Sequence, residues 1–323
     1  MRNSSALVQL ALDNLKCTQT ALAKSMGVSS AQISKWKSGE GMSNEQEKKL
    51  RGFAGIGEHD PAIVLNVGST DDADKWHRLF TFIANNMLGD FDCLEVGERI
   101  TDVCPLYDAC GGLDWHTFSV LEEMGVALPK PFPQEIDFDY EVALARNDVR
   151  LSQFGVLNQH KLTLLIRDIY KATVVVSIFY TDYVQDLVLD NDNYPDLWDA
   201  GEEIDAHLME LAAAKLDKVD LEFAPNFPKF QRDTKAMITG WLFDVKEEAI
   251  RAGLPLKAEL LDMVYKPLKR MAREEDCVET FDANSERVHP DIYMNELLAG
   301  MREMRERLAS IEAKLGINTQ TPV

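Results

Sequence analysis

Side chains able to ligate, transfer or attack are scarce in this chain and do not fall into working patterns. Cys93, Cys104, Cys110 and His116 lie within 24 residues, a density that raises zinc. Structural zinc sites space their ligands as close Cys pairs or a His pair across a short turn, and none of these intervals fits. Buried structural cysteines are therefore expected, with no metal and no cofactor. Asp190, Asp192 and Asp196 in DNDNYPD are spaced like a calcium loop. Tyr194 and Pro195 stand where such a loop needs a ligand and a glycine, so the segment reads as a solvated turn. Glu202, Glu203 and Asp205, and Glu274, Glu275 and Asp276, read as acids on helix surfaces. No GxSxG, P-loop, HExxH or GxGxxG motif occurs, and the chain is not expected to be an enzyme.

The polar residues that could recognise a partner sit near the N-terminus. Ser29, Ser30, Ala31, Gln32, Ser34 and Lys35 share the outer face of one short predicted helix that runs to about Lys37. Short side chains on that face let a helix sink into a DNA major groove, where Gln or Lys reaches base edges. Charge points the same way. The whole chain carries a net charge of −20, but residues 1–57 hold eight bases against four acids, a net of +4. The other 266 residues carry the remaining 26 bases and 50 acids, a net of −24. A basic head on an acidic body is the asymmetry of a protein in which only the head meets phosphate.

The elements that must position this face are legible locally. Leu7, Leu10, Ala11 and Leu15 recur at helical spacing and give a first helix over about Ser5 to Leu15. Thr18 is a suitable N-cap for a second helix, Gln19 to Met26, which Gly27 ends. Ser29 or Ser30 caps the third. Ala23 is small where two helices cross closely, and Gly27 permits the left-handed backbone that a tight turn requires. Leu22, Met26, Val28, Ile33 and Trp36 form the wedge that fixes the angle between the pair.

The stretch TQTALAKSMGVSSAQISKWKSGE resembles the helix-turn-helix of the Cro/C1-type (XRE) family of bacterial and phage regulators. Members commonly open helix two with Thr-Gln, place Ala and Gly four apart, put Ile six further on, and end on an aromatic or Leu followed by a Gly turn. Here those places are Thr18-Gln19, Ala23, Gly27, Ile33, Trp36 and Gly39. The segment Gln32 to Lys37 also resembles the recognition helix of lambdoid phage activators. The resemblance implies a lambda-repressor-like DNA-binding head of four or five helices, with duplex operator DNA as partner. It implies that Gln19 anchors a phosphate, that Ser30, Ala31 and Lys35 face bases, and that Ser38 lies near the backbone. Ala31 departs from the family, which often has a longer polar residue there; Ala offers only apolar contact to a thymine methyl. The match covers about residues 5–53.

The body, residues 58–290, carries no family signature. After a helix from Asn44 to Phe53, Gly55, Gly57 and Pro61 read as a linker. Helical periodicity predicts Asp71–Leu88, Trp115–Met124, Gln159–Leu189, Leu197–Leu216, Phe230–Ala252 and Leu256–Glu275. Ala62 to Val67 reads as a strand. The β-branched run Thr173 to Tyr180 could be a strand, but no turn separates it from the helical pattern before it, which favours a buried helix. Pro129, Pro131 and Pro133 mark an extended surface loop. The fold class expected is mainly α.

The tail, residues 291–317, reads as an amphipathic heptad helix. Met294, Leu297, Met301, Met304, Leu308, Ile311 and Leu315 step by alternating threes and fours, the a/d seam of a coiled coil. Arg307 then occupies a g position and Glu312 an e position, spaced to pair across a parallel dimer. Self-association and docking on the body are the two readings of such a helix. Leu at a with Ile at d leans toward more than two strands.

No run approaches the ~18 apolar residues of a membrane span. The N-terminus lacks the continuous apolar core of a signal peptide, and five irregularly spaced cysteines suit reduced thiols. Together these lead to the expectation of a cytoplasmic, oligomeric transcription regulator, a repressor, with a body that dimerises and senses a small molecule, peptide or protein. Two alternatives share the head. One is a peptide receptor, whose helical-hairpin repeat of about 34 residues should leave a periodic trace that is absent here. The other is an operator-tethered enzyme or toxin, which would need a polar cluster converging in a pocket.

Overall fold

The computed structural model describes residues 2–89, 100, 102–107, 112–140, 155–185, 195–254 and 260–275, together with 304, 307, 308 and 311 of the tail. It is mainly helical, with no strand among the described residues, and none of their helices is long and apolar enough to cross a membrane. Two compact units divide the chain. The first comprises residues 1–83, 110–122 and 126–164, and the second 84–109, 123–125 and 165–323.

The first unit opens with five helices: α1 Arg2–Leu15, α2 Gln19–Met26, α3 Ser30–Lys37, α4 Asn44–Ala54 and α5 Pro61–Val67. The start and stop chemistry is explicit. The Thr18 hydroxyl accepts from the Ala21 amide, Ser29 does the same for Gln32, and Ser43 and Gln46 form a reciprocal capping box. Gly27 and Gly55 close α2 and α4 at φ 72° and 71°. α1 packs against α3, α4 and α5 through Ala6, Leu7, Val8 and Ala11, all buried. Leu15, expected on that apolar face, is instead 42 % exposed. The chain turns directly after it at Lys16, φ 48°, and the last side chain of the helix is carried outward.

Residues 61–67 correct two expectations. Pro61 begins a helix rather than lying in a linker, and Ala62–Val67 is α5, not a strand. The Asp60 carboxylate accepts from the Ala62 and Ile63 amides, and Pro61 at the first position presets φ for the helix. These local signals override an apolar run that periodicity alone cannot assign.

α6, Thr70–Gly89, and α7, Leu113–Glu123, follow. Trp76 and Phe80 of α6 meet Phe118 of α7 and Phe132, with ring centroids 4.7 to 6.5 Å apart. Phe132 lies between Pro131 and Pro133, so the loop expected at the surface inserts an anchor into the core. Its amide donates to Asp72 at 3.1 Å.

The second unit is built on α8, Lys161–Tyr180, which begins in the first unit, and on α9 Pro195–Asp205, α10 Leu208–Ala214, α11 Phe227–Ala252, α12 Asp262–Tyr265 and α13 Leu268–Glu275. All of Thr173–Tyr180 is buried helix, which continues as a π-turn, Thr181–Gln185. The predicted Leu197–Leu216 helix is two helices. Between them the His207 ring bonds the Glu203 carbonyl at 2.8 Å, taking an acceptor the helix would otherwise use. The predicted Leu256–Glu275 helix is likewise split, at Pro267, which lacks an amide proton and holds Lys266 extended. α9 and α10 pack along α11. Lys215, directly after α10, is buried; its ammonium donates to the carbonyls of Met263 at 2.7 Å and Val264 at 3.1 Å and so ties α10 to α12.

Candidate nucleic-acid interface

The pair α2–α3 is held as the sequence suggests. Leu22, Ala23, Met26, Ile33 and Trp36 are buried, with Leu22, Ile33 and Trp36 at 0 % exposure, and Val28 is half-buried. The amides of Gly27 and Val28 return to the carbonyls of Lys24 and Ala23 and close the turn. A contact that charge counting missed holds the turn from below. Lys49 of α4 donates to the last carbonyl of α2, that of Met26, at 3.2 Å, where a cation also suits the helix dipole.

What this scaffold leaves outward on α3 is Ser30, Ala31, Ser34, Lys35 and Lys37, all exposed, with Ser29 and Ser38 exposed at its two ends. Gln32 is half-buried, as is Gln19 at the first position of α2. The hydroxyls of Ser34 and Ser38 donate to the carbonyls of Ser30 and Lys35, at 3.1 and 2.7 Å, and the Ser29 hydroxyl is occupied as the cap. Those three serines present compact surface and acceptor lone pairs more than free donors. Lys35 reaches Glu40 at 3.4 Å. Both side chains are more than half exposed, so the pair contributes little and yields readily to a stronger anion.

Among the tail residues, Met304, Leu308 and Ile311 are helical and 58, 57 and 50 % exposed. Met294, Leu297, Met301 and Leu315 lie outside the described residues, as does Glu312. Arg307 has a contact within its own chain. Its guanidinium lies over the Tyr265 ring, 4.3 Å from the centroid.

Of the cysteine–histidine group, Cys93 and Cys110 lie outside the described residues. Cys104 is a buried free thiol, and burial pushes its pKa up to about 11, the opposite of a thiolate ligand. His116 is half-buried on α7. Among the described residues no group of three or more His, Cys, Asp or Glu could hold a metal. Asp190 and Asp192 lie outside the described residues, and Asp196 sits in the first turn of α9.

No family model, curated protein or solved structure matches this chain.

Proposed function

We propose that this chain is a sequence-specific DNA-binding transcription regulator, a repressor of the Cro/C1 type acting on duplex operators in the bacterial cytoplasm. The observation that carries the reading is the α2–α3 pair. Its caps, glycine turn and buried wedge fix α3 at the surface of a head with net charge +4, and α3 presents small polar residues and two lysines outward. In the proposed complex α3 lies in the major groove. Lys35 and Gln32 reach base edges, Ala31 meets a thymine methyl, Gln19 and Lys37 hold phosphates, and Ser38 lies near the DNA backbone. A single head reads too few base pairs for a useful specificity ratio, so two copies act together. The outward seam of Met304, Leu308 and Ile311 supports assembly through the tail helix. The acidic body repels phosphate and confines contact to the head, and it is where an effector would act.

Selection of binding sites from a random duplex pool with the full chain tests the reading. A single enriched motif with two related half-sites about one helical turn apart is expected. A pool that stays random after repeated cycles would overturn it.

A further inference from the structure

The loop that leaves the head after α4, residues 55–60, is tied down at four points. Arg51 of α4 donates to the carbonyls of Gly57 at 3.1 Å and His59 at 2.9 Å, while its Nε pairs with Glu47 at 3.0 Å. Asp60 caps α5 and accepts from Asn3 at 3.1 Å. The fourth tie is His59 itself. Its Nδ1 is 2.9 Å from the Ile56 carbonyl oxygen, and its Nε2 is 2.8 Å from Oδ1 of Asp74 on α6.

Both of those partners can only accept. A neutral imidazole carries one proton and satisfies one of them, leaving a lone pair against the other oxygen; only the imidazolium donates to both. We propose that His59 is a proton-operated clasp: as imidazolium it ties the loop behind the helix-turn-helix head to α6, and as neutral imidazole it releases one of the two ties. The ring lines an open groove of about 470 Å³ with Gly57, Glu58 and Thr70, so its proton exchanges directly with solvent.

The charged groups around it agree on the sign. Asp74 faces the ring from α6 and Glu58 precedes it in the loop. Arg51, the cation contributed by α4, directs its guanidinium at the His59 carbonyl rather than at the ring. The hydrogen bond to Asp74 raises the His59 pKa above its ordinary 6.5, against partial burial that lowers it, with the Ile56 carbonyl adding in the same direction as Asp74. A folded value above the unfolded one means that the clasp stabilises fully below pH 6.5 and is lost as pH rises through the folded value. The clasp needs only the fold of the first unit, whatever α3 binds.

The test is the ring titration in the full chain, followed by NMR on ¹³C-labelled histidine, with Asp74→Asn and His59→Gln as comparators. His59→Gln identifies the His59 signal among the six histidines. A titration above 6.5 with both ring nitrogens protonated in the neutral range is expected, and Asp74→Asn should move it down to the ordinary value or below. Thermal unfolding should separate the wild type from His59→Gln more at pH 5.5 than at pH 8.5. A wild-type ring that titrates at or below 6.5, or that Asp74→Asn leaves unmoved, would overturn the clasp. Should His59→Gln fail to fold, the remaining histidines can be assigned by their own substitutions, and the Asp74→Asn comparison still decides.

Discussion

At the scale of single residues, the sequence names the outward face of α3 but not the buried polar groups that hold the fold. Lys215 is the clearest case. Read along the chain it is one more surface cation; in the fold it is enclosed, and burial lowers its pKa to about 7, with the Lys235 charge adding to the shift and Asp262 opposing it. Enclosure by residues 48 and 49 positions away leaves no local trace. The unfolded lysine keeps its proton to about pH 10.4. Between the two values the unfolded chain therefore binds more protons, and stability rises with pH. Lys215→Met removes the desolvated charge together with its two hydrogen bonds. It should flatten the rise between about pH 7 and 10.4, measured as the denaturation midpoint, and cost little below pH 7. A variant whose pH dependence still matches the wild type would show that another group sets it.

At the scale of elements, legibility followed chemistry that acts within one turn of helix. Thr18, Gly27 and Ser29 mark their boundaries by side-chain caps and a left-handed backbone, and α2 and α3 begin and end where those residues say. Asp60-Pro61 is the same kind of signal, though the apolar run after it has no period that tells a helix from a strand. If the Asp60 cap does start α5, Asp60→Ala should destabilise the first unit by about 1 kcal/mol, within a range of roughly 0.5–2. Equilibrium urea unfolding measures this; no loss would mean that α5 is held by packing on α1 alone. The split at Pro267 is legible too, because proline's missing donor breaks a helix that periodicity alone would continue. The break at His207 was not, since it depends on a ring nitrogen finding a carbonyl. Phe132 marks the limit of reading prolines as surface: flanking prolines hold the strand-like loop, and the aromatic between them enters the core through distant partners.

At the scale of the whole molecule, a +4 head joined to a −24 remainder and a tail with an outward seam were visible from charge and period. The seating of Arg307 on Tyr265 was not, because heptad rules consider only another helix. Since Met304, Leu308 and Ile311 are at least half exposed, Leu308→Glu with Ile311→Glu should leave the fold within about 0.5 kcal/mol per site. If the seam joins two copies, the same pair of changes should yield a smaller species by light scattering. Unchanged mass would place the contact elsewhere in the body.

The central claim is that α3 reads DNA. Its most direct measurement is the affinity of the full chain for the selected duplex, by fluorescence anisotropy across a salt series. The wild type should weaken steeply with salt as phosphate contacts are screened. Lys35→Ala and Gln32→Ala should each lose ~1–3 kcal/mol of specific affinity, roughly five- to 150-fold, with an unchanged far-ultraviolet circular dichroism spectrum. A double variant that binds the selected duplex as tightly as the wild type would contradict the account.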